Sequence, residues 1–289
     1  MFKKQILAVF IVLALVTISC GININLPVTD IKTGPIVEES IEISATGSAS
    51  ESTTLELKFG AGELILAPGT AQGLVSGTAT YNVADLKPEI TTSSDRVTVA
   101  TGDFEITGVP DFGDEFKNTW DLKLGETPMN LVISSGAYKG RMELGGLSLS
   151  SLEVNDGAAD VQLSFSEPNL VEMDTLQYET GASKVELSGL ANANFDTMIF
   201  KAGAGAYRLD FSGDLVRDAT VTVDAGLSAL TVNIPPGVSA RVIVDGGLSN
   251  VDIDSGWDRD GNIYTSEGQG PRLTIHVNIG AGNLELQSR

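Results

Sequence analysis

Two stretches and one histidine hold residue types that could do chemistry. In residues 256–267, GWDRDGNIYTSE, the residues Asp258, Asp260, Gly261, Asn262, Ile263 and Glu267 fall on the third, fifth, sixth, seventh, eighth and twelfth positions of a calcium-binding loop. The first position is Gly256, which has no carboxylate, and no amphipathic helical pattern flanks the segment. A turn on Asp260-Gly261-Asn262 therefore explains it better than a cation does. Trp257 and Tyr264 are two aromatics in one long loop. With Asp258 and Asp260 they make residues 255–271 a candidate binding loop for a sugar or a protein. The second stretch, IFKAGAGAYRLDF (residues 199–211), resembles a phosphate-cradling glycine loop, but such a loop opens a helix and needs a third glycine. Here an alternating strand pattern follows instead. His276 is the single histidine and lies on the polar phase of LTIHVNI, with no Ser-His-Asp set, zinc spacing or Walker loop in the chain. These residues give no catalytic set, no metal set and no cofactor, so the expectation is a protein that is not an enzyme.

The elements that would position these residues follow from a repeat. Glycines recur at 136, 157, 181, 203, 226, 247 and 280, at intervals of 21, 24, 22, 23, 21 and 33 residues. Three and five residues before each of the six glycines from Gly157 on stand apolar side chains, such as Val154 and Leu152 before Gly157. Four and six after it stand others, such as Val161 and Leu163, with a polar residue between them. Period-two alternation on both sides of a small-residue corner reads as strand, corner, strand, each strand with one buried face. Units of about 22 residues with one apolar row bury that row by stacking. The expected fold is all-β, a β-solenoid of stacked repeats with a β-rich N-terminal region. An antiparallel sandwich is the competitor, but it lacks a fixed long period. Residues 55–66, LELKFGAGELIL, carry a related unit around Gly60. Stacking in chain order would set Asn155, Glu179, Lys201, Asp224, Asp245 and Asn278 in one outward row. Lys201 would then stand between two acids and Asp224 unfavourably beside Asp245.

The whole chain bounds its partners. It has 289 residues and a formal charge of −20, with no cluster of Lys and Arg that could neutralise a phosphate backbone, which excludes nucleic acid. Lys3 and Lys4 precede an apolar run of 13 residues from Ile6 to Ile18, then Ser19 and Cys20. That is an export signal in form and too short to span a bilayer. VTISC (residues 16–20) resembles the lipobox of bacterial lipoproteins, which implies that Cys20 becomes the lipidated first residue. As the only cysteine it can form no internal disulfide. The expected organisation is a signal peptide at 1–19, a tether at 20–47, an N-terminal β-rich region at 48–128 and the repeat domain at 129–289. The membrane would be reached through Cys20.

Three stretches, KFGAGELIL, NIPPGVSARVIVDGGLSNVDI and LTIHVNIGAGNLELQ, resemble the toast-rack family of bacterial envelope proteins and the related C-terminal domain of LiaF-like cell-wall-stress proteins. The resemblance runs over residues 48–289. It implies stacked β architecture and an extracytoplasmic, membrane-linked role in the bacterial cell envelope, and it lends no catalytic residue. LiaF-like proteins carry several membrane spans and restrain a stress-sensing kinase, where this chain has a lipobox. The functional expectation is a lipid-anchored, adhesin-like scaffold or binding module for an envelope protein or glycan, tied to the envelope stress response. A carbohydrate-binding or polysaccharide-cleaving β-helix protein is the alternative. The chain's 18 basic residues show none of the convergent grouping that such an enzyme needs.

Overall fold

The computed structural model describes residues 28–45, 52–69, 73–102, 109–111 and 115–289. Cys20, the export signal and much of the expected tether lie outside them. Two compact units are present. In the smaller, β1 (Val28–Asp30) pairs in parallel with β7 (Val109–Asp111).

The larger unit is an open 15-stranded sheet, β-solenoid-like, whose long strands bend at their glycines. These are β3 (Thr53–Pro68), β9 (Met129–Glu143), β10 (Leu149–Ser164), β11 (Met173–Ser188), β12 (Phe195–Asp210), β13 (Ala219–Asn233), β14 (Gly237–Ile253) and β17 (Gly268–Gln287). All neighbours among them run parallel, with the register shifting in β10 between Leu149 and Ser151 and in β14 between Gly237 and Ser239 and again between Gly246 and Asn250. The alternation read from the sequence is the burial pattern observed: Leu152, Val154, Val161 and Leu163 are all buried. Each is worth about 1.5–3 kcal/mol relative to exposure. Repeated coil by coil, these positions make one continuous apolar column. Helix is confined, among the described residues, to two short 3₁₀ turns, Ala84–Leu86 and Leu190–Ala193.

The stack departs from chain order twice. β17 lies between β13 and β14, so β14 is the last full coil. β16 (Ile263–Ser266) pairs antiparallel with β14, and β15 (Asp258–Asp260) pairs with β16. At the other end β3 sits directly beside β9, so the stack includes a coil from the region expected to be separate at 48–128. Next to β3 lies a divided coil. β6 (Arg96–Thr101) pairs with its first arm, Lys58 opposite Ala100, and β8 (Asn118–Leu124) with its second, Leu64 opposite Trp120. Gly102 follows β6 where Gly60 follows Lys58, and the chain between β6 and β8 is an insertion at that corner.

Three further strands complete the sheet. β5 (Pro88–Thr92) flanks β6, while β4 (Gly73–Tyr81) and then β2 (Val37–Ser44) extend from β8 in antiparallel fashion. β2 corrects the expected tether. Ile41 and Ile43 alternate with polar residues and are buried, so residues 37–44 form the edge strand of the sheet.

Candidate binding site

The corner glycines stand in a column, and the reason is clearance. A Cβ built on Gly181 would lie 2.4 Å from the carbonyl oxygen of Gly157, one on Gly203 2.5 Å from that of Gly181, and one on Gly226 2.6 Å from that of Gly203. Any side chain there would enter the backbone of the neighbouring coil. Beside this column runs an open trough of about 790 Å³, whose floor is Gly60 and Gly136 together with Phe59, Ser135, Asp156, Thr180 and Ala202.

One side of the trough is the outward row two residues before each glycine. In spatial order it reads Lys58, Ser134, Asn155, Glu179, Lys201, Asp224, then Asn278 and Asp245 beyond it. The strand spacing puts successive side chains about 5 Å apart. Lys201 falls between Glu179 and Asp224 as the sequence led us to expect, and its Nζ lies 2.6 Å from Glu179 Oε1. The hydrogen bond to Glu179, with the charges of Glu179 and Asp224, raises the Lys201 ammonium above its ordinary value. Asp224 and Asp245 are not neighbours, which corrects the row read in chain order: Asn278 of β17 separates them.

Inside the same corner lies a polar group that the sequence reading missed. Asp156, one residue before Gly157, points in the buried phase and lines the trough floor. Its carboxylate accepts hydrogen bonds from Tyr178 Oη at 2.7 Å, from Tyr138 Oη at 3.5 Å, from Thr180 Oγ1, and from Ser183 Oγ at 3.4 Å. Ser183 Oγ in turn accepts from the Ala159 N–H at 2.9 Å. Burial pushes both phenols up, and the charge of Asp156 pushes them further, so they donate rather than ionise. Tyr178 stacks on Phe200 at 5.6 Å, and Phe200 meets Tyr207 edge-on at 5.3 Å. This packing makes the floor rigid. A signal was present: the equivalent positions in the other coils are Phe59, Ser135, Thr180, Ala202, Ala225, Ile279 and Gly246, so Asp156 is the single acid in an inward row.

The loop singled out by sequence is arranged differently. Asp260-Gly261-Asn262 does form a turn, with Gly261 left-handed at φ 62°, joining β15 to β16. Trp257 and Tyr264, however, are only 8% and 1% exposed and belong to the core. They cap the apolar end of β14, where Val242 opposes Tyr264, so neither ring is free to receive a ligand. The Arg259 guanidinium lies 5.3 Å from the Tyr264 ring centroid. Asp258 and Asp260 are exposed, and no group of three or more His, Cys, Asp or Glu able to hold a metal occurs among the described residues. His276 is exposed on its strand, between Thr222 and Ile243. Cys20 lies outside the described residues. Among those residues no helix is long and apolar enough to cross a membrane.

Residues 32–175 match the family model described as the N-terminal domain of toast_rack, DUF2154. Among solved structures, a candidate cell adhesion protein from Clostridium sporogenes is similar over 88% of this chain and 100% of its own, with a TM-score of 0.50 and 19% identity. A candidate adhesin from Bacteroides fragilis covers 89% of this chain and 99% of its own at a TM-score of 0.41 and 8% identity. A candidate lipid-binding protein from Parabacteroides distasonis covers the same shares at a TM-score of 0.34 and 12% identity. At 19% identity the likeness to the Clostridium sporogenes structure is one of fold. No curated protein matches the chain in sequence.

Proposed function

This chain belongs to the toast-rack family, and we propose on that footing that it is a non-enzymatic binding module of the bacterial envelope, anchored through lipidated Cys20 and holding a wall glycan along the corner trough. The observation that carries this reading is the row beside the glycine column, in which Lys58, Asn155, Glu179, Lys201 and Asp224 offer both donors and acceptors at a regular spacing along an open trough. A polymer with a repeating hydroxyl pattern fits such a row, because a hydroxyl both donates and accepts and each coil offers it one polar side chain at the strand spacing. Binding rather than cleavage suits the one carboxylate in the floor. Both oxygens of Asp156 already accept from protein hydroxyls, which suits a structural acceptor better than a base. A link to the envelope stress response belongs to the same proposal and rests on the family alone.

The test is cosedimentation of the full-length lipoprotein, in mild detergent, with purified insoluble wall glycan. Wild type should pellet with the glycan, and the pair Glu179→Ala and Lys201→Ala should reduce the bound fraction several-fold. Asp258→Ala, in the β15–β16 hairpin, should leave it unchanged. Equal pelleting by all variants, or none by wild type, would remove the trough from the account. In parallel, Cys20→Ser should move the protein from the membrane fraction to the soluble one, and a variant that stays with the membrane would remove the anchor.

A further inference from the structure

The end coil β14 is covered along half its length only. Its first arm is paired by β16 through Ala240–Ile243, and the Val244 N–H donates to the Asn262 carbonyl at 2.9 Å. Past that point β16 diverges. Among the described residues, residues 247–253 of β14 pair with β17 alone, so the outward-facing N–H and C=O groups of this arm have no strand beside them. The arm is bulged between Gly246 and Asn250 and regular over Asn250–Ile253, and a regular stretch of four residues spans about 13 Å.

The side chains of this open arm have a definite pattern. Val251 and Ile253 oppose Leu284 and Leu286 of β17, both fully buried, so they continue the core column, yet Ile253 is 41% exposed because no coil lies beyond it. Between them Asp252 faces outward, directly beside Glu285 on β17. Two carboxylates thus stand on adjacent strands. Their side-chain donors are neutral, Asn250 Nδ2 to Asp252 at 2.7 Å, and Gln287 Nε2 at 2.8 Å and Thr231 Oγ1 at 3.4 Å to Glu285. Like charges directly opposite are unfavourable in a sheet and a cation set against them is favourable.

We propose that this arm is a docking edge for an extended segment of a partner protein in which basic and apolar residues alternate. Added as a strand, its backbone bonds the free groups of residues 247–253, its apolar residues cover Val251 and Ile253, and its Lys or Arg faces Asp252 and Glu285. The edge chemistry disfavours a second copy of this chain. The same edge would bring Asp252 against an acidic row. The opposite edge of the sheet, β2, carries Glu38, Glu39 and Glu42, so head-to-tail stacking sets acid against acid as well. This surface is separate from the trough, and neither reading rests on the other.

The experiment uses the full-length protein and two fluorescent eight-residue peptides, one alternating Lys and Val, the other Glu and Val, read by anisotropy. The Lys/Val peptide should bind at micromolar concentration, and the Glu/Val peptide at least tenfold more weakly. Asp252→Lys should weaken the first at least tenfold and favour the second. Lys201→Glu, in the trough, should change neither. Amide hydrogen exchange on the wild-type protein should slow across residues 247–253 when the Lys/Val peptide is added, which reads the edge without any variant. Lys/Val binding that survives Asp252→Lys with no protection of residues 247–253 is general attraction to an acidic protein and overturns the proposal. Absence of binding, or self-association through this edge in sedimentation, overturns it too.

Discussion

The Nδ2 of Asn278 donates to Oδ1 of Asp224 at 3.2 Å, and the same asparagine stands in register with Asp245 on its other side. Asp245 also receives a hydrogen bond from Asn262 Nδ2 at 3.1 Å. A neutral amide between two carboxylates replaces a repulsion with a hydrogen bond, and it is available only because β17 lies between β13 and β14. Asn278→Asp should therefore lower the melting temperature by several degrees at low salt, and the loss should shrink as salt rises to 0.5 M. A thermal melt series at two salt concentrations checks this. Stacking in chain order would put Asn278 beside only one of the two acids and give a smaller, less salt-sensitive loss.

Gly203→Val tests the glycine column. The new side chain would begin 2.5 Å from the Gly181 carbonyl oxygen, and relief requires moving one coil against the next. The expected loss is about 2–4 kcal/mol by denaturant unfolding. Ala204→Val, one residue on at an exposed position, should stay within about 0.5 kcal/mol. Equal losses at the two sites would mean that the column is not in contact.

Removing Asp156 strands its donors. Asp156→Ala leaves the hydroxyls of Tyr138 and Tyr178 without this acceptor in a largely buried corner, while Thr180 keeps Ser183 Oγ at 2.5 Å, and the expected loss is about 2–4 kcal/mol. Asp156→Asn keeps an acceptor oxygen and should cost less. Urea melts of both variants give the comparison, and a larger loss for Asn than for Ala would contradict the network.

Glu143 supplies an acid dependence. Burial acts to raise its carboxyl, but hydrogen bonds from Ser164 Oγ, the Ser166 N–H and the Gly145 N–H outweigh burial together and hold it below its ordinary value. A depressed carboxyl stabilises the fold above the ordinary value of 4.5 and loses that contribution as pH falls through the folded value. Glu143→Gln should therefore be less stable than wild type at pH 7, with the gap closing as pH falls below 4.5 towards the acid transition. A gap that stays constant with pH would assign the effect to packing alone.

Much of this fold was legible because each coil writes its own burial in alternation and its own corner in a glycine, both local properties. The order of coils was not, since Val244 and Val277 look the same whichever strand they adjoin. Only the length of the segment before β17 hinted that the chain could first build the hairpin over β14 and then return inside it. The divided coil of β6 and β8 escaped for a related reason: the insertion after Gly102 separates Val97 and Val99 from Trp120 and Leu122, which share one layer of the core. Trp257 and Tyr264 mark where the rhythm breaks, but the open apolar end of β14 takes them as a cap, and an aromatic in a loop carries no sign of which role it has. Asp156 was visible as an acid out of phase, a signal that needs all the coils aligned to be noticed.

Glycan binding along the corner is read residue by residue by amide hydrogen exchange of the full-length protein with and without soluble wall-glycan fragments. Exchange should slow along the corner, at residues 58–60, 134–136, 155–157, 179–181 and 201–203, with residues 255–271 unchanged. Protection confined to residues 255–271, or no protection anywhere, would contradict it.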